Sequence, residues 1–444
     1  MIERSQFPKD FVWGAATSSY QIEGSTQVDG RGQSIWDTFA AIPGKTHNGE
    51  NGDPGCDHYN RWASDLDLMK DMGLEAYRFS VAWPRVIPNG RGQVNEKGMA
   101  FYERLVDGLL ERGITPWLTM YHWDLPQALE DKGGWPNRDT VHAFEEYAQV
   151  LSSRLGDRVK HWITHNEPWC TAVLGYGLGI FAPGLKDKKL ELQTAHHLLL
   201  SHGLSVPIIR ENSKDAQVGM APNLWPIYPA SDSSEDEMAA TRMDGFANRW
   251  YLDPIYGRGY PKDMLEAYAQ ILPKIHDGDL EKIAAPTDFL GVNYYIRHVV
   301  KHSSNETGFE YVQTNLERTD MGWEIYPDGL RDLMVRLKND YPVKSLIITE
   351  SGASFDDALV DGQVNDEGRR KYLERHLESA HTAIQDGAPL DGYFAWSLLD
   401  NYEWALGYEK RFGLVEVNYQ TLERTIRPSA YVYKNICEAN AVVE

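Results

Sequence analysis

Eight short apolar runs, each followed by a stretch with helical spacing, restrict this chain more than any other feature. They lie at residues 11–15, 76–80, 116–121, 161–167, 218–221, 289–293, 346–349 and 392–396. The runs lack strict alternation of apolar and polar residues, which suits strands buried on both faces. Between them Trp62, Leu66 and Met69 fall at i, i+4, i+7, and Phe144, Ala148, Leu151 and Leu155 extend the same period to i+11. Leu105 with Leu109, Leu333 with Leu337, and Leu373 with Leu377 make shorter stripes. A repeated strand–helix order with eight strands predicts an α/β fold, a single (β/α)8 TIM barrel spanning residues 1–444 with long βα loops around its mouth. No Pro/Ser-rich linker divides the chain. Residues 43–56, 228–236 and 301–324, rich in Gly, Ser, Asn and acids, are expected to be irregular loops walling that mouth.

Charge narrows the range of partners. Lys and Arg total 44 against 65 Asp and Glu, a formal charge of -21 that repels phosphate backbones and anionic lipid. No nucleic-acid or membrane partner is expected; a small molecule is, and a homo-oligomer is left open. No run of about 18 apolar residues occurs, and the first eight residues contain no leader-like stretch, so the default compartment is the cytoplasm. Cys56, Cys170 and Cys437 are odd in number and far apart, so they imply no disulfide framework and no CxxC metal pair. Gly44-Lys45-Thr46 lacks the partner glycine of a phosphate loop, because Phe39 stands there. Gly175, Gly177 and Gly179 lack the third glycine of a dinucleotide fingerprint, because Ile180 stands there. Fourteen histidines contain no HExxH pair. No cofactor and no metal are expected.

Two of the runs end in glutamate. Trp162, Ile163 and Thr164 are good strand formers and Pro168 cannot donate to a ladder, so a strand is expected to end at Glu167, beside Asn166 and Trp169. A carboxyl among aromatic rings loses water and holds its proton to higher pH, and such an acid can protonate a leaving oxygen. A strand-end ion pair at the surface is the alternative for this stretch alone. The run at 346–349 leads into Glu350, three candidate strands later. In a closed barrel every strand's carboxyl end faces one mouth, so Glu167 and Glu350 can meet across it. Glycosidic cleavage needs such a pair, one to donate a proton and one to attack or to activate water.

With these motifs in order, the chain resembles glycoside hydrolase family one, the β-glucosidase family, along nearly its whole length. Asn166-Glu167-Pro168 is similar to the family's acid/base motif, and Ile348-Thr349-Glu350-Ser351-Gly352 to its nucleophile motif, with Ser351 where the family usually has Asn. Further matches are the run from Phe11 to Gly24, Tyr121-His122-Trp123-Asp124-Leu125-Pro126, Asn293-Tyr294-Tyr295, and the run from Trp396 to Trp404. The resemblance implies that Gln21, His122, Asn166, Glu403 and Trp404 bind the hydroxyls of the transferred sugar, with Trp123 and Asn293 on the same rim. It places Trp396 under that sugar as a floor and sets Arg78 and Tyr295 beside Glu350, favouring its charged form. Trp169, Asn223 and Trp323 are candidates for the leaving-group side.

The implied activity is retaining hydrolysis of β-glucosides and cello-oligosaccharides, with a place in cellulose breakdown. Retention predicts carboxyls about 5 Å apart, and a gap above about 6.5 Å would favour inversion. Phospho-β-glucosidases of the same fold resemble this chain but carry a serine where Glu403 stands, and pair a lysine with a tyrosine. Here Lys410 is present and Phe412 occupies the tyrosine's place. A non-catalytic sugar-binding relative would be expected to have lost a glutamate, and a thioglucosidase to carry glutamine at position 167.

Overall fold

The computed structural model describes residues 5–360 and 363–442. Residues 1–4, half of the stretch read as leader-free, lie outside the described residues. Eight parallel strands form one sheet: β1 (Val12–Ala16), β2 (Ala76–Ser80), β3 (Thr115–Tyr121), β4 (His161–Asn166), β5 (Gln217–Ala221), β6 (Leu290–Asn293), β7 (Leu346–Ser351) and β8 (Leu390–Trp396). Their hydrogen-bonded order is β5-β4-β3-β2-β1-β8-β7-β6. The seam between β5 and β6 has no regular ladder. It is crossed by a parallel bridge between Asn223 and Asn293 and by the bonds Asp288 N to Val218 O (2.9 Å) and Asn293 N to Pro222 O (3.0 Å). The sheet thus curls into the expected (β/α)8 barrel, with its seam beside the site described below.

Among the described residues seven long helices cover the outside: α1 (His58–Asp71), α2 (Glu96–Glu111), α3 (Arg138–Leu155), α4 (Lys188–Asn212), α5 (Pro327–Asp340), α6 (Glu367–Gln385) and α7 (Pro428–Ala439). Shorter helices fill the crossover from β5 to β6. The stripes read from the sequence face inward: Phe144, Ala148, Leu151 and Leu155 on α3 are fully buried, as are Leu66 and Met69 on α1. Asn137 starts α3 by accepting from Asp139 N at 3.0 Å, satisfying a donor that the first turn leaves unpaired. Inside the barrel Trp117, Ile163, Phe289, Ile347 and Phe394 pack together and plug the lumen below the carboxyl ends of the strands. Among the described residues no helix is long and apolar enough to cross a membrane.

Two local expectations need correction. β4 stops at Asn166, and Glu167 has left the ladder with φ at +46°. The segments expected to be irregular at 228–236 and 301–324 contribute to a small sheet of Ile227–Pro229, His298–His302 and Phe309–Tyr311. Its strands are short and partly polar, so no apolar run announced them.

Candidate active site

β2, β4, β6 and β7 each deliver a polar side chain to the mouth, and these side chains bond to one another. Arg78 on β2 is fully buried. Its Nη1 donates to Glu350 Oε1 (2.6 Å) and to the Thr349 carbonyl (2.9 Å), and its Nη2 donates to Asn166 Oδ1 (2.6 Å). Its Nε donates to Thr119 Oγ1 at 3.1 Å. Removing either member of such a buried ion pair would strand the other's charge, so the pair is better seen as an orienting device than as a source of stability. Tyr295 completes the setting of Glu350 by donating to Oε2 at 2.7 Å.

Asn293, at the end of β6, links the two halves. Its amide donates to Glu167 Oε1 and to Asn166 Oδ1, both at 2.9 Å, and it also favours the charged form of Glu350. Because Arg78 also holds Asn166 Oδ1, a chain of bonds runs from Glu167 through Asn293, Asn166 and Arg78 to Glu350. Thr349 Oγ1 fixes the amide by donating to Asn293 Oδ1 at 2.7 Å.

Asn166 Oδ1 already accepts from two donors, so its Nδ2 faces His122 Nε2 at 3.0 Å. That nitrogen must accept, which places the proton on His122 Nδ1, a buried atom without a protein partner. Burial, with Arg78 adding to it, holds the imidazole neutral. His122 therefore presents an unused N–H in the pocket, a donor for a ligand hydroxyl.

The rest of the pocket is aromatic. His122 stacks between Trp396 (5.8 Å between centroids, 16°) and Trp404 (6.0 Å, 14°). Trp123 packs on Trp404 at 4.5 Å, and its Nε1 is committed to the Asn166 carbonyl at 3.1 Å, so it braces the pocket. Gln21 is held by Ser18 and Asn401, and its amide lies 3.4 Å from Glu403 Oε2. Tyr295, Trp323 and Phe412 form a second aromatic group, with centroids 5.3 to 6.2 Å apart. Glu167, Trp123 and Trp404 all take positive φ (+46°, +74° and +52°), a cost that clusters where the chemistry is expected. A side chain at Gly352 would place its Cβ 1.7 Å from the Trp396 carbonyl, so only glycine lets the chain leaving β7 pass beneath that tryptophan.

Three carboxyls share this dry space. Burial raises the pKa of Glu167, and the neighbouring charge of Glu350 raises it further, while Asn293 and the Cys170 thiol oppose the shift. Glu403 is pushed up to about 8, again by burial first and then by Glu350 and Glu167. Burial raises Glu350 too, but Arg78 and Tyr295 pull against it. Only Glu350 makes an ion pair, with Arg78. It is the first of the three to ionise, and Glu167 keeps its proton.

These contacts gather Gln21, Arg78, His122, Trp123, Asn166, Glu167, Asn293, Tyr295, Glu350, Trp396, Glu403 and Trp404 into one pocket. Trp169 and Asn223 lie apart from the aromatic floor. The Trp169 ring stands perpendicular to Trp225 at 4.7 Å, and Asn223 bridges the backbone of Asn293. Thr349, Cys170 and Thr119 were missed from the sequence. Thr349 carried a signal in its place next to Glu350; the other two carried none.

The Glycosyl hydrolase family 1 model matches residues 3–442. The chain belongs to this family. It is similar to a 1,4-beta-D-glucan glucohydrolase of Thermotoga neapolitana, 48% identical over 99% of this chain and 100% of that protein. It is 49% identical to beta-glucosidase A of Acetivibrio thermocellus over 98% of each. Among solved structures, the family 1 β-glucosidase of Thermotoga maritima superposes with a TM-score of 0.98 at 46% identity, covering 100% of both chains. The Thermotoga maritima enzyme in complex with deoxynojirimycin gives 0.97 at 47% identity, over 99% of this chain and 100% of that one. Family 1 is a retaining family.

Proposed function

We propose that this chain is a retaining β-glucosidase that releases terminal β-D-glucosyl residues in two displacements. The observation that carries the reading is the pair Glu167 and Glu350, buried in one pocket, linked through Asn293, Asn166 and Arg78, and differently surrounded. In the first step the ionised Glu350 attacks the anomeric carbon while Glu167 protonates the departing oxygen. In the second, Glu167 takes a proton from water, and that water displaces Glu350 from the sugar. Forming the glycosyl ester removes the charge of Glu350, so the pKa of Glu167 falls just as it must turn from acid to base. The neutral His122 N–H, Gln21 and Glu403 supply donors and acceptors for the sugar hydroxyls, and Asn166 is set to meet the 2-hydroxyl.

Cello-oligosaccharides are the natural class we assign as substrate, with a role in cellulose breakdown, supported by the names of the full-length relatives. A 6-phosphorylated sugar finds a poor partner in Glu403. Cytoplasmic residence belongs to the same proposal and is supported by three buried free thiols, Cys56, Cys170 and Cys437. Hydrolysis of an aryl β-glucoside followed by NMR tests the reading. β-Glucose should appear first and mutarotate afterwards. Initial release of the α-anomer, or no hydrolysis at all, would contradict it.

A further inference from the structure

We propose that Glu50, in the loop before α1 and outside every motif above, is a positioning residue that sets Glu403 for the transferred sugar. The proposal rests on the β-glucosidase reading above and adds a residue to its sugar site. Glu403 reaches the pocket from residues 403–408, a tight turn that belongs to no strand or long helix. The Glu403 amide closes the turn on the Gly407 carbonyl at 2.6 Å, and the Leu406 and Gly407 amides bond back to the Glu403 and Trp404 carbonyls at 2.9 and 3.1 Å. Trp404 (φ +52°) and Gly407 (φ +62°) are both left-handed, and a residue with a side chain keeps that conformation only where its surroundings impose it. Among the described residues, the backbone of 403–408 makes one hydrogen bond to the rest of the chain. The Tyr408 amide donates to Glu50 Oε2 at 2.8 Å. The same carboxylate packs on the bare face of Gly407, where any Cβ would collide with it.

Glu50 can anchor the turn because its own loop is fixed. Its carbonyl accepts from Thr46 Oγ1 at 2.7 Å and from the hydroxyl of Tyr402, the residue just before the turn, at 3.2 Å. At the other end of the turn the Tyr408 hydroxyl donates to the Asn51 carbonyl at 2.7 Å and accepts from the Gly55 amide at 3.0 Å. Glu50 therefore meets both flanks of the turn, one through its carbonyl and one through its carboxylate.

The two sugar-binding side chains of the turn depend on this anchor unequally. The Trp404 ring packs among Tyr20, Trp36, Trp123 and His122, with centroids 4.5 to 6.0 Å away, so buried contacts hold it whatever Glu50 does. The Glu403 carboxyl has one hydrogen-bond partner among the described residues, Gln21 at 3.4 Å, and takes its place from the backbone beneath it. A small displacement of that backbone weakens its bonds to sugar hydroxyls and leaves Glu167 and Glu350, carried by other strands, where they are.

The test is a double-mutant cycle on kcat/KM for 4-nitrophenyl β-glucoside, using Glu50→Ala, Glu403→Ala and the double variant. Glu50→Ala should lower kcat/KM about three- to thirtyfold, mostly through KM. In the Glu403→Ala background the same change should cost less than about twofold, since its route to the sugar is gone. Glu50→Gln keeps an acceptor for the Tyr408 amide and should return kcat/KM to within about threefold of the wild type. Should Glu50→Ala fold poorly, Thr46→Val frees the Glu50 carbonyl alone and should give a milder loss that also vanishes in the Glu403→Ala background. Losses that multiply across the cycle, no loss at all, or a Glu50→Gln as poor as Glu50→Ala would overturn the proposal. Calorimetric binding of deoxynojirimycin to the same proteins separates the two readings. No turnover by the wild type defeats the β-glucosidase reading, whereas unchanged affinity in Glu50→Ala defeats the role of Glu50 alone.

Discussion

Glu350 and Glu167 stand at strand ends of one barrel, both buried, yet their surroundings are opposite. Glu350 lies within β7 and is met by a guanidinium and a phenol, at 2.6 and 2.7 Å. Glu167 lies one residue past β4, in a left-handed conformation, and is met by a neutral amide at 2.9 Å, with no cation paired to it among the described residues. Burial acts on both alike, so the partners decide which one ionises. Position in the fold brings the two carboxyls together; the neighbours give them different tasks.

The contrast can be broken most severely by deleting its charged half. Glu350→Ala should lower kcat by about 10⁴-fold or more, because the covalent step disappears. A loss below about tenfold in steady-state assays would remove Glu350 from the nucleophile's role. Glu167→Gln comes next. It should cost about 10²- to 10⁴-fold on substrates with poor leaving groups and far less on activated aryl glucosides, which need no proton. Equal losses on both kinds would refute the acid assignment. Tyr295→Phe sharpens the comparison more gently. Losing a hydrogen bond to a charged group costs about 1.5–3 kcal/mol, or roughly 10- to 150-fold in kcat/KM. It also raises the pKa of Glu350, since the lost bond favoured the charged form, so the acidic limb of the pH profile should move to higher pH. A limb that stays in place or moves lower would show that Tyr295 does not serve that carboxyl.

The barrel was legible because its signals are local. The run 346–349 and the stripe Phe144, Ala148, Leu151, Leu155 carry their periodicity within a few residues, and the structure buries them as that spacing demands. Features that depend on distant partners were not legible. Glu167 ends the strand through its φ of +46° while its amide still bonds the Ala221 carbonyl of β5 at 2.8 Å, a conformation that no spacing in 161–169 encodes. The small sheet joins segments some 70 residues apart, 227–229 with 298–302, through short polar strands. Arg78 and Tyr295 were found through the resemblance. The thiol of Cys170 needed coordinates, since nothing in sequence marks it, and the place of Thr349 beside Glu350 did not tell that it bonds Asn293.

The division of the proton between the two carboxyls is tested most directly by carbon-13 NMR titration of the Glu167 carboxyl in the wild type and in Glu350→Gln. The wild-type value should lie well above that of an ordinary glutamate. It should fall in the variant, yet stay raised, because burial outweighs the charge of Glu350 among its causes. An ordinary value in the wild type, or one that does not fall when the charge is removed, would contradict the account.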